Sequence, residues 1–230
     1  MSSSSPLVLK SLREQVYDHL RHLMSRGEIQ PGAFLNQDEL ASRLGVSRTP
    51  LRDALLQLEA EGFVAILPRR GVRVQPLGLE DIRHLYEVVG ALEGAAVLAA
   101  FPKLERPELD ELRRLNAEMR TAVLAGDFDR YYDLNLAFHD VFLDRSGNER
   151  LVRIVRAYKQ RLYDWPRRQG LVKEWELASL EEHGAFVRLV SDGDARGAAD
   201  HLRDVHWSFP VQERFIHRYY FEDGSPEGRR

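Results

Sequence analysis

The segment from Asn36 to Gly62 constrains the fold most, because it reads as two helices joined by a tight turn. Asn36 is a good N-cap, Leu40 and Leu44 share one helical face, and Gly45 stands where a C′ glycine ends a helix. Ser47 then caps a second helix with Pro50 in its first turn, where a missing N–H costs nothing. Leu51, Leu55 and Leu58 recur at helical spacing and bury one side, while Arg48, Thr49 and Arg52 occupy the other. A pair of helices of this shape fits the major groove of double-stranded DNA, with bases read by the N-terminal residues of the second helix. Ser47, Arg48, Thr49 and Arg52 stand at that end, where free N–H groups favour phosphate and arginine can grip guanine bidentately.

The next stretch, Phe63 to Gln75, reads as two short β-rich runs around a Pro-Arg-Arg-Gly turn. Together with the helix pair this makes a winged helix-turn-helix. At the wing tip Arg69 and Arg70 can reach backbone or minor groove, and Gly71 permits close approach or a positive φ. An ordinary hairpin tip, or a winged helix that docks a protein, uses the same fold, but neither explains arginines at both the helix start and the wing.

The run Leu44-Gly-Val-Ser-Arg-Thr-Pro-Leu-Arg-Asp-Ala-Leu, with Leu58-Glu-Ala-Glu-Gly-Phe-Val and the Arg-Arg-Gly wing, resembles GntR-type bacterial transcription regulators. That resemblance puts Ser47, Arg48, Thr49 and Arg52 on the recognition-helix contacts and Gly71 on the wing-tip contact. Asp38 stands where the fatty-acid-responsive member of the family has a DNA-contacting arginine, so this chain's operator is expected to differ from that relative's.

Charge supports the N-terminal part as the one that meets phosphate. Although the whole chain carries −3, residues 7 to 76 hold ten Lys/Arg against eight Asp/Glu, and the remainder holds 23 against 28. So small a basic surface implies two copies on half-sites about one helical turn apart, hence a homodimer on a pseudo-palindromic operator. The chain has no cysteine, which excludes disulfides, thiolate catalysis and cysteine zinc sites. No run of about eighteen apolar residues is read as crossing a bilayer, and Met1 to Pro6 lacks the regions of a signal peptide, so no membrane partner and a cytoplasmic location are expected.

The expected fold class is mainly α. The winged helix occupies 7–75, a linker 76–80, an all-α bundle of six helices 81–222, and a flexible tail 223–230. Breaks fall at Phe101-Pro, Gly126-Asp, Ser146-Gly-Asn, Arg168-Gln-Gly and Asp192-Gly-Asp, and turns this short favour antiparallel packing into a bundle that can hold a ligand or metal.

Within that bundle Leu85-Tyr-Glu-Val-Val-Gly-Ala-Leu-Glu-Gly-Ala-Ala, Asn135-Leu-Ala-Phe-His139, Ser146-Gly-Asn148, Glu182-His183 and Gly193-Asp194 resemble, in order, the helical effector domain called FCD. The resemblance implies a ligand-responsive regulator, a repressor in our reading, that binds a small organic acid or related metabolite beside a divalent metal. The metal ligands it implies are Asn135, His139, His183 and His206. Asn135 and His139 are spaced i and i+4 on one helix face, as two ligands of one metal require. The family's last histidine falls at Val205, so His206 stands one place late, and a one-residue adjustment in the turn after Gly193-Asp194 is expected to restore it. Zinc, nickel and manganese all suit nitrogen-rich ligation.

Carboxylate-binding relatives place an arginine where this chain has Val89. Arg83 or Arg161 is the expected substitute, with Tyr86 among aromatic candidates that include Tyr132, Tyr163, Trp165, Trp175 and Trp207. A metal-dependent enzyme is the rival reading, with Glu93 and Glu182 as candidate bases. It lacks any catalytic motif and leaves the winged helix unexplained.

Overall fold

A computed structural model describes residues 10–164 and 172–221. The N-terminal stretch 7–9, the turn at Arg168, Trp165 and the tail 223–230 lie outside the described residues. Contacts divide the chain into two compact units, Met1–Gly78 with Gln160–Pro166, and Leu79–Lys159 with Arg167–Arg230.

The first unit runs α1 (Leu12–Ser25), β1 (Phe34–Leu35), α2 (Gln37–Leu44), α3 (Arg48–Ala60), β2 (Val64–Leu67) and β3 (Gly71–Val74). Ser11 and Glu14 form a reciprocal capping box that starts α1. The Asn36 side chain accepts from the amides of Asp38 and Glu39 to start α2, and Gly45, at φ 63°, ends it in the left-handed region. Val16, Leu20 and Met24 of α1 meet Leu51, Leu55 and Leu58 of α3 and Phe63, Val72 and Val74 in one buried core. Each such side chain contributes about 1.5–3 kcal/mol on burial.

The wing gains a strand that the sequence reading lacked. β1 pairs antiparallel with β3, Phe34 opposite Arg73 and Leu35 opposite Val72, and β2 pairs with the other edge from Val64–Val74 to Leu67–Gly71. Two residues are too few to show an alternating pattern, so only the partner strand reveals β1.

The second unit contains α4 (Leu79–Ala100), α5 (Arg106–Ala125), α6 (Phe128–Arg145), α7 (Glu149–Tyr163, whose last turn belongs to the first unit), α8 (Lys173–Ser191), α9 (Ala195–His201) and α10 (Phe209–Tyr220). That is seven helices among the described residues where six were expected. The extra break comes at Trp207-Ser208, before Pro210 in the first turn of α10. The helix start expected at Asp81 comes at Leu79.

α4 is the central strut. Leu79–Lys103 is long and apolar enough to cross a bilayer by length and composition alone, although Glu87 and Glu93 interrupt its apolar run. Here the helix packs into the bundle against α6, α9 and the turn that follows α9, and its one buried acid, Glu93, is fully enclosed. Gly90 and Gly94 make the close approach: a Cβ at Gly90 would lie 2.9 Å from Trp207 Cβ, and one at Gly94 3.2 Å from the Ala199 carbonyl oxygen.

Between α9 and α10 the chain forms a π turn over Leu202–His206, marked by the Trp207 amide donating to the Leu202 carbonyl at 2.8 Å. An i→i+5 turn holds one residue more than an α turn.

Candidate nucleic-acid interface and candidate metal centre

In the first unit Ser47 is the N-cap of α3, and its side chain makes no capping hydrogen bond. Ser47, Arg48, Thr49 and Arg52 are all exposed at that helix start. Arg48 pairs with Asp38 at 2.8 Å across an open surface, the two side chains 80% and 67% exposed. Asp38 therefore faces Arg48 rather than merely replacing a cation. Pairs this exposed are worth about 0–1 kcal/mol.

The wing turn is closed by the Arg70 amide donating to the Leu67 carbonyl at 3.0 Å. Arg69 and Arg70 both face solvent. Gly71 sits at φ 94°, and Arg69 is held at φ 62°, where a side chain is strained. The six residues read as DNA-contacting thus share one unit, at the start of α3 and the tip of the wing.

In the second unit α6, α8 and the π turn bring His139, His183 and His206 together, with ligand atoms all within 4.8 Å of one another. His139 and His183 are fully buried. His183 stacks on Phe138 at 4.2 Å, and the His183 and His206 rings lie 4.8 Å apart. Asn135 is buried one helical turn before His139 on α6. The register problem at His206 is solved inside the helix, not in the turn after Gly193-Asp194 as expected. The π turn takes up the one extra residue and delivers His206 to the cluster.

The ring nitrogens suit a metal. His139 Nε2 and both nitrogens of His183 are buried with no hydrogen-bond partner among the described residues, an unsatisfied state that a cation would relieve. Burial pushes the His139 pKa down to about 3 against the opposing pull of Glu93, and burial with the neighbouring His206 and His139 pushes His183 well below its usual range. Both rings are thereby kept neutral, the form that ligates.

Carboxylates orient the cluster from outside. His139 Nδ1 lies 2.8 Å from Glu93 Oε2, and His206 Nδ1 lies 2.8 Å from Glu182 Oε2. Glu93 also receives Trp207 Nε1 at 2.7 Å and Lys159 Nζ at 3.1 Å. Burial works to raise the Glu93 pKa, yet His139 and the Lys159 ammonium outweigh it and hold the carboxyl well below the usual range. Burial lowers the Lys159 pKa while Glu93 opposes it. Glu93 and Glu182, read from sequence as candidate bases, therefore serve as partners of histidines.

Other candidates are not gathered here. Arg83 is half-buried in the second turn of α4 and pairs with Glu80. Arg161 belongs to the first unit, where it donates to the Gln75 carbonyl at 3.1 Å and lies over the Phe63 ring. The histidine cluster gathers neither arginine among its ligand atoms. Tyr86 does adjoin the cluster's wall, edge-on to Trp207 at 5.2 Å. Tyr132 stacks on Phe128. His201 is absent from the cluster and bonds the Glu182 carbonyl at 2.9 Å. Lys159 and Gln212 escaped the sequence reading. Glu93 alone carried a signal, a lone acid inside the apolar run of α4.

Comparison with known proteins agrees across both units. Residues 12–74 match the family described as bacterial regulatory proteins, gntR family, and residues 84–206 match the FCD domain. An HTH-type transcriptional regulator in an unstable DNA locus of Streptomyces ambofaciens is 34% identical over 84% of this chain and 83% of its own length. The HTH-type transcriptional regulator McbR of Escherichia coli K12 is 30% identical over 75% of this chain and 77% of its own. The solved structure of E. coli McbR/YncC, 24% identical, shares the fold with a TM-score of 0.66 over 91% of this chain and 97% of that one.

Proposed function

The chain belongs to the GntR family of bacterial DNA-binding transcription regulators, in its FCD branch and not among enzymes, and from that premise we propose a metal-dependent, effector-responsive repressor. In this reading the protein works in the cytoplasm as a homodimer on a pseudo-palindromic operator. Ser47, Arg48, Thr49 and Arg52 read the major groove while Arg70 and Gly71 seat the wing on the backbone. Asn135, His139, His183 and His206 hold one divalent cation, zinc, nickel or manganese, which supplies a Lewis-acidic position for an oxygen of a small organic acid. Tyr86 and Trp207 form part of the wall beside it. Effector binding changes operator affinity.

The observation that carries the sensor half is the convergence of three histidines from three separate elements, two of them fully buried with nitrogens lacking partners. Structural imidazoles satisfy at least one nitrogen each, and His183 satisfies neither. The test is the metal content of purified protein by elemental mass spectrometry, beside His139→Ala and His183→Ala. Near-stoichiometric metal lost in both variants supports the reading. No metal even after reloading, or metal retained in full by both variants, refutes it.

A further inference from the structure

Two of the clustered histidines are held in a single tautomer by hydrogen-bond chains that end in donor-only side chains, and we propose that these chains make Trp175, Gln212, Lys159 and Trp207 positioning residues for the cluster. The proposal rests on the metal reading for its consequence but not for its test.

The first chain starts at Trp175. An indole N–H can only donate, and Trp175 Nε1 lies 2.8 Å from Gln212 Oε1. The Gln212 amide is thereby fixed with its NH₂ toward Glu182 Oε1 at 2.9 Å and the Val205 carbonyl at 3.2 Å. The acceptor-only carbonyl of Val205 demands the same orientation independently. Every polar atom of this amide, itself 2% exposed, is used. Glu182 consequently accepts at both oxygens, and the group facing its Oε2 must donate: His206 carries its proton on Nδ1. The lone pair of Nε2 is left for the cluster.

The second chain reaches the same result with different parts. Trp207 Nε1 and Lys159 Nζ, both donor-only, converge on the fully buried Glu93 and keep it an acceptor. His139 therefore donates from Nδ1 and turns a bare Nε2 inward, the nitrogen that lacks a partner. A free imidazole in water prefers its proton on Nε2. The two chains impose the less favoured tautomer on both rings before any ligand arrives, and that is the tautomer Nε2 ligation needs.

Long-range ¹H–¹⁵N correlation spectra of the full metal-free chain at neutral pH test this directly. The expected result is a pyridine-type Nε2 and a pyrrole-type Nδ1 for both His139 and His206. In Glu182→Gln the amide oxygen must face the Gln212 NH₂, so its own NH₂ faces His206 and the His206 proton moves to Nε2. Trp175→Phe removes one of the two groups that orient Gln212 and leaves the Val205 carbonyl to hold it, so the His206 proton stays on Nδ1 while the Glu182 carboxylate behind it is held less firmly. Nickel or zinc affinity, read by quenching of tryptophan fluorescence or by calorimetry, then falls about 10–100-fold in both variants with unchanged circular dichroism. Nε2-protonated rings in the parent chain, or an unmoved His206 tautomer in Glu182→Gln, overturn the proposal. Expected tautomers in a chain that takes up no metal leave it standing and refute the metal reading instead.

Discussion

Replacing Gly90 by alanine should separate the integrity of the fold from that of the histidine cluster. The added Cβ would lie 2.9 Å from Trp207 Cβ, 3.3 Å from Arg203 Cα and 3.4 Å from the Arg203 carbonyl oxygen. Comfortable carbon contacts begin at about 3.5–4.0 Å, so α4 and the π turn must part by roughly 0.8 Å. Overpacking of this kind costs about 1–3 kcal/mol, and alanine returns about 1 kcal/mol through its helix propensity. The net loss is about 0–2 kcal/mol, a fall in Tm of no more than about 8 °C in a chain of this size. The cluster is less forgiving. Trp207 adjoins His206 in sequence and donates to the carboxylate that orients His139, whereas ligand distances tolerate only about 0.2 Å. Metal affinity should fall at least about tenfold while the protein stays folded. Calorimetric titration with nickel beside thermal unfolding reads both quantities. Parental affinity in Gly90→Ala would show that the α4 contact does not set the site.

Three further outcomes are expected. Arg48→Ala and Arg52→Ala each weaken specific operator binding by about 1–3 kcal/mol in gel-shift titration and leave metal content unchanged; undiminished affinity in both would remove the recognition-helix assignment. Arg69→Gly relieves the backbone at φ 62° and raises unfolding stability by about 1 kcal/mol in denaturant titration, where an unchanged midpoint would mean the turn is not strained. Because the folded-state pKa of His139 is about 3, well under its unfolded value of about 6.5, its contribution to metal-free stability is complete above pH 6.5 and is lost as pH falls toward 3. Glu93, also depressed, adds to that loss only below the ordinary carboxylate range. Denaturant midpoints that stay flat between pH 7 and 5 would contradict the neutral, buried histidine.

What the chain announces in advance is whatever depends on residues near one another in sequence. Asn36, Gly45 and Leu51-Leu55-Leu58 specify the helix pair because capping and periodicity act within a few residues. Asn135 and His139 declare their shared face for the same reason. The rest depends on encounters across the chain: Glu93 meets Lys159 from 66 residues away and Trp207 from 114 away, and no local pattern encodes such a pairing. β1 exists because β3 lies beside it. The π turn that precedes the break at Ser208 is marked by a hydrogen bond, not a residue type, although Pro210 just beyond it was legible. Arg161 shows the same limit: its charge is visible in the sequence, but that the last turn of α7 belongs with the winged helix is not.

The π turn over Leu202–His206 also shows how an inserted residue can be hidden. In an unbroken helix one additional residue would rotate everything beyond it by about 100°, carrying Trp207 away from Glu93 and Gln212 away from Glu182. Here the surplus is spent within five residues, and α10 still presents Gln212 to the carboxylate behind His206. Column-by-column comparison with relatives would score this chain as having lost a histidine, with valine in its place. In space the histidine is present, beside His139 and His183. For chains of this kind, counting residues along a helix is a poorer guide to what a pocket contains than tracing which carbonyl each amide has chosen.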